Sequence, residues 1–124
     1  MGNMSDYQPL RASQVPQRLR EVMQYLEDAT DAFSQAADEA AEAEAEWKIA
    51  EAKYHVTHDG AVSKLEREAK AKHEDLYRKY KITAALRESA LERVRTARGG
   101  LSSVQTAAGS FKDQYQAANQ TYGP

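Results

Sequence analysis

A chain of 124 residues with a formal net charge of −2 has room for one domain at most. Cysteine is absent, which excludes disulfides and thiolate metal sites, and two Phe, one Trp and three Met are too few for a bulky globular core. Charged residues make up 29% of the chain, and Ala, Glu, Lys, Leu and Arg in quantity are the composition of long helices packed side by side.

Residues 1–15 contain Pro9, precede Pro16 and show no apolar period, so they are read as a flexible arm. Ser13 is the expected N-cap of the first helix, with Pro16 in its first turn. The arm lacks the basic start and apolar run of a secretory signal. Asp6 stands where a myristoylation motif wants Ser or Thr. No run approaches the roughly 18 apolar residues of a membrane span. A cytoplasmic protein without a membrane partner is expected.

Beyond the arm, Leu19, Val22, Leu26, Ala29, Phe33, Ala36, Ala40, Ala43, Trp47, Ala50 and Tyr54 succeed one another at steps of three and four, the seam of a coiled coil. The spacing predicts a first helix over about 16–58. Its seam is all alanine from Ala36 to Ala43, so a partner helix must come close there or touch little. Trp47 and Tyr54 are in phase with the seam and are read as core. Asp59-Gly60 is the turn, with Gly60 in a left-handed conformation and Asp59 or Ser63 capping the next helix.

A second helix over about 61–118 carries a looser stripe: Val62, Leu65, Ala69, Leu76, Tyr80, Thr83, Leu86, Ala90, Val94, Ala97, Leu101 and Val104, then Ala108, Phe111 and Tyr115. His73 fills the gap between Ala69 and Leu76. Gly99-Gly100 would ordinarily stop a helix. The stripe keeps its phase across the pair, so a continuing or kinked helix is favoured over a third one. Residues 119–124 are read as a frayed tail.

The fold class is thus all-α, a long antiparallel helical hairpin. Helix two overhangs helix one, leaving Val104, Ala108, Phe111 and Tyr115 as a candidate oligomer interface. A two-helix core is thin, and dimerisation into a helical bundle is the expected remedy. Residues 16–60 hold 4 basic and 11 acidic side chains, and residues 61–98 hold 11 basic and 6 acidic. Opposite signs favour pairing of the two helices, although each exposed pair is worth only about 0–1 kcal/mol.

His55, His58 and Asp59 sit together at the turn, too few ligands for zinc. The carboxylates Asp38, Glu39, Glu42, Glu44 and Glu46 are regularly spaced and solvated rather than gathered in a pocket that would tune them. No phosphate-binding glycine loop, nucleophile elbow or HExxH motif is present. No enzyme, cofactor, metal or small-molecule substrate is expected. Lys64, Arg67, Lys70, Arg78 and Lys81, with Arg93, Arg95 and Arg98 as a second group, form a candidate basic face of the kind that meets phosphates. Pairing with the acidic helix is the plainer use for these cations.

The run Trp47-Lys48-Ile49-Ala50-Glu51-Ala52-Lys53-Tyr54, then Asp59-Gly60-Ala61-Val62 and Arg67-Glu68-Ala69-Lys70-Ala71, resembles small uncharacterised helical-hairpin proteins of bacteriophages of Gram-positive and actinobacterial hosts. Ala85-Leu86-Arg87, Arg93, Leu101, Ser102, Ser103 and Gln105 continue the likeness, which covers about half the chain; Gly99-Gly100 departs from it. The resemblance implies a phage protein among early, replication or recombination genes, and no activity. The expected function is a self-associating adaptor or inhibitor that binds a host or phage protein through an exposed helical face. An accessory nucleic-acid-binding factor using the basic helix and a virion or scaffold component are the alternatives.

Overall fold

The computed structural model describes residues 10–122, which are all-α: a 3-10 turn at Ala12–Gln14, then α1 (Val15–Thr57), α2 (Val62–Lys72) and α3 (Glu74–Tyr122). The first nine residues of the expected arm, and residues 123–124 of the expected tail, lie outside the described residues. The expected cap Ser13 lies within the 3-10 turn that leads into α1, and that turn is itself closed by Gln14, whose Oε1 accepts the Arg11 N–H at 3.0 Å. The chain divides into two compact units: Ala29–Arg93, and the terminal stretches up to Asp28 and from Val94.

The Ala29–Arg93 unit is a hairpin. Trp47, Tyr54, Leu65 and Ala69 form its buried cluster, with Leu76, Tyr77 and Tyr80 packed against it. The Trp47 and Tyr77 rings meet edge to face at 5.1 Å, a favoured arrangement of their quadrupoles. Ala40, Ala43 and Ala50 are buried as well, so the alanine stretch of the seam is used for close approach. The turn is longer than two residues. It occupies 58–61, with Gly60 at φ +146°, a region open essentially to glycine alone. The N-cap of α2 is Ala61, which has no side-chain acceptor, in place of the expected Asp59 or Ser63.

Helix two is interrupted where sequence periodicity gives no warning. His73 leaves helical geometry at φ −114°, ψ 44°, ending α2 and starting α3. Backbone bonds still run from His73 N–H to Ala69 C=O and from Tyr77 N–H to His73 C=O, at 2.9 and 3.0 Å. The charges on either side suit a break. Lys70 and Lys72 stand at the end of α2 and Glu74 and Asp75 at the start of α3, each opposite in sign to its helix terminus. Two members of the expected stripe within this unit are out of the core: Val62 is 64% and Leu86 55% exposed. Thr83 and Ala84 take the inward places near Leu86, and the Arg87 guanidinium lies over the Phe33 ring at 5.6 Å.

In the terminal unit α3 passes through Gly99-Gly100 without a break. A side chain on Gly100 would stand 3.7 Å from Val22 Cγ1, so α1 and α3 are neighbours here. Val94, Ala97 and Val104 are buried. Of the four residues of the expected oligomer interface, one is covered within the chain. Val104 is spent inside the chain, Ala108 and Phe111 are half-buried, and Tyr115 alone of the four is largely exposed, at 70%. The end of α3 lies at Tyr122, past the expected 118. No helix among the described residues is long and apolar enough to cross a membrane.

Candidate interaction site at the hairpin tip

The tip of the Ala29–Arg93 hairpin is built from the last turn of α1, the four-residue turn and the first turns of α2. Polar contacts fix it from both sides. Tyr54 lies on the buried face of α1, and its hydroxyl donates to Glu68 Oε2 across the hairpin at 2.7 Å. That bond, then burial, then the nearby carboxylate charge push the Tyr54 hydroxyl above its ordinary 10.0. Glu68 is held below its ordinary 4.5, first by the Tyr54 hydrogen bond. Desolvation opposes that shift, and the charges of Lys64 and His58 assist it.

His58 closes the end of α1. Its ring stacks on Tyr54 at 3.8 Å, and its Nδ1 lies 3.0 Å from the Tyr54 carbonyl oxygen. A carbonyl only accepts, so Nδ1 carries the proton and satisfies one of the orphan carbonyls of the helix terminus. Thr57 Oγ1 donates to Lys53 C=O at 2.8 Å and serves the same terminus. His55 behaves differently: its Nε2 is buried without a hydrogen-bond partner. No group of three metal-ligating side chains forms among the described residues.

On this frame two aliphatic side chains point into solvent. Val56, on the last turn of α1, is 86% exposed, and Val62 opens α2. Lys64 and Arg67, on the same helix as Val62, are exposed as well. Spacing alone places Val62 in the seam and singles out no role for Val56. The signal that could have found Val56 is positional, since it falls two residues after Tyr54, on the far side of the helix from the seam.

The candidate basic face is only partly free for a ligand. Lys64 reaches Glu68 at 3.8 Å and Arg78 reaches Glu74 at 2.6 Å, both along their own helices. Lys70 and Lys81 stand over the Tyr77 ring at 5.0 and 5.5 Å. Arg67 and Arg93 are exposed in the same unit, whereas Arg95 and Arg98, also exposed, belong to the terminal unit. Charge pairing across the hairpin is present at Lys79 and Glu46, 3.6 Å apart. Below the tip a groove of about 610 Å³ runs between α1 and the α2–α3 break, walled by Ile49, Ala50, Tyr54 and Leu76.

No family model matches the chain, and neither does a curated protein or a solved structure.

Proposed function

We propose that this chain is a non-enzymatic interaction protein, an adaptor or inhibitor of the phage kind, that docks a protein partner on the hairpin tip within the host cytoplasm. The observation that carries the reading is the pair Val56 and Val62, exposed on either side of a turn held in one geometry by Tyr54, Glu68 and His58. A single aliphatic side chain in water is ordinary. Two that flank a fixed turn, on a tip that also exposes Lys64, Arg67, Asp59 and Glu66, offer apolar surface among charges of both signs. An apolar recess rimmed by charges of both signs is its complement. Ordering a mobile side chain on binding costs about 0.5–1.5 kcal/mol, and a tip already fixed avoids much of that loss.

The test uses the full chain with a photo-crosslinking residue at Val56. One protein of the native host lysate should be captured at stoichiometric level, and Val62→Asp should abolish capture with helicity unchanged. Capture that survives Val62→Asp, or that is equal with the probe at the exposed Gln35, sinks the reading.

A second reading, an accessory nucleic-acid-binding factor, draws support from the exposed Arg67, Arg93, Arg95 and Arg98. It requires retention on a phosphate matrix at about 50 mM salt with steep salt dependence, lost when Arg67, Lys70 and Arg78 become Glu. A virion or scaffold role requires the chain in purified particles.

A further inference from the structure

We infer that the groove on the side of the Ala29–Arg93 unit seats a second copy of this chain, with each acidic α1 lying along the basic α2 and α3 of the other. The groove has an apolar floor edged by Glu46, Lys53 and Lys72, and the hairpin leaves part of that floor open: Ile49 is 57% exposed, and Leu76 is only half-buried. Leu86, largely exposed, continues the row Leu76, Lys79, Thr83 at helical steps of three and four. The same face of α3 thus carries a second, exposed leucine beyond the Lys79–Glu46 pair.

Charge decides the occupant. Within this unit α1 carries seven acidic and two basic side chains, a net of −5, and α2 with α3 up to Arg93 carries nine basic and six acidic, a net of +3. At the groove itself α1 contributes Glu46 and Lys53 and the other wall Lys72, so the whole helices set the charge preference: a lone acidic helix laid along the unit would be drawn to α2 and α3 and repelled by α1, and a lone basic helix the reverse. An antiparallel pair of helices, one of each sign, suits both walls at once, and this chain is such a pair. Rotation by a half-turn about an axis parallel to the helices sets acidic α1 against the other copy's basic helices. It does so twice, in the all-antiparallel order of a four-helix bundle.

The face is also large enough. The 29 residues from Ala29 to Thr57 span about 43 Å at 1.5 Å per residue. Two helices spaced about 8–10 Å apart give a face roughly 20 Å wide. That is on the order of the 800 Å² per partner found in stable complexes. The same half-turn brings both tips to one end, so the two turns at Gly60 lie side by side.

Sedimentation equilibrium of the full chain tests this. The expected mass is twice 13.8 kDa, falling to a single chain in Ile49→Asp with an unchanged circular dichroism spectrum. Because Ile49 is exposed in the single chain, that variant tests association and not folding. The chain has no cysteine, so Ile49→Cys and Leu76→Cys can be introduced singly, mixed and treated with a short bis-maleimide. The mixed pair should link in preference to either variant with itself. A wild-type monomer, a dimer that survives Ile49→Asp, or preferential linkage of Ile49→Cys to itself would overturn the inference.

Discussion

Gly60 and Ala61 show how much a single position in the turn decides. Gly60 sits at φ +146° with nothing closer than 3.6 Å to where a Cβ would stand, so Gly60→Ala is resisted by the backbone and not by crowding. A loss of about 1–3 kcal/mol is expected in urea unfolding. Its neighbour is an unfilled cap, and Ala61→Ser should gain about 0.5–2 kcal/mol by offering an acceptor to the first turn of α2. Tyr54 and Glu68 set the pH range of the hairpin. A carboxyl held below 4.5 in the folded state contributes above that value and loses its contribution as pH falls through the lowered one. A phenol raised above 10.0 contributes below that value and loses its contribution as pH rises through the raised one. Melting temperature should therefore fall at both extremes. Tyr54→Phe should be less stable than the wild type between them, and the gap should narrow as pH falls through the lowered Glu68 value. A gap independent of pH would mean that the 2.7 Å bond is not formed in solution.

At the scale of the helix, the two interruptions of the second helical stretch exchange places relative to expectation. The glycine pair looks like a stop and is not one, because a helical residue without a side chain loses stability without losing the ability to continue. Gly99 and Gly109 have open space where a Cβ would be, so Gly99→Ala and Gly109→Ala should each stabilise by about 0.5–1 kcal/mol in thermal unfolding. Destabilisation by Gly99→Ala would argue that α3 bends there. His73 looks like a seam filler, and it does sit half-buried beside the core, yet it is where the helix breaks. The clue is electrostatic rather than periodic. Lys70 and Lys72 succeeded at once by Glu74 and Asp75 spell the end of one helix and the beginning of another.

For the molecule as a whole, the buried and exposed apolar residues should separate cleanly in their energetic effects. Trp47 is 2% exposed, and Trp47→Ala should cost about 3–5 kcal/mol, enough to unfold a thin core. Leu86→Ala, at a side chain left largely in water, should stay within about 0.5 kcal/mol in the monomer. If both residues were seam members of equal standing, the two losses would be similar. Val104 gives the complementary lesson: expected in an unpaired overhang, it is 7% exposed and already used. Ile49, Val56 and Val62 of the Ala29–Arg93 unit, by contrast, are left largely in water.

Periodicity and composition alone determined that the chain is helical, that Ala40, Ala43, Trp47, Ala50 and Tyr54 face inward, and that the chain turns at Gly60. A 3.6-residue helix writes its buried face directly into sequence spacing. Tertiary structure decided what spacing does not encode. It set which of several in-phase residues are covered, with Val104 inside and Leu86 outside. It formed the Tyr54–Glu68 bond across 14 positions and turned Val56 and Val62 outward at the tip. Those outcomes depend on what stands opposite each side chain, and that is fixed only when the helices meet.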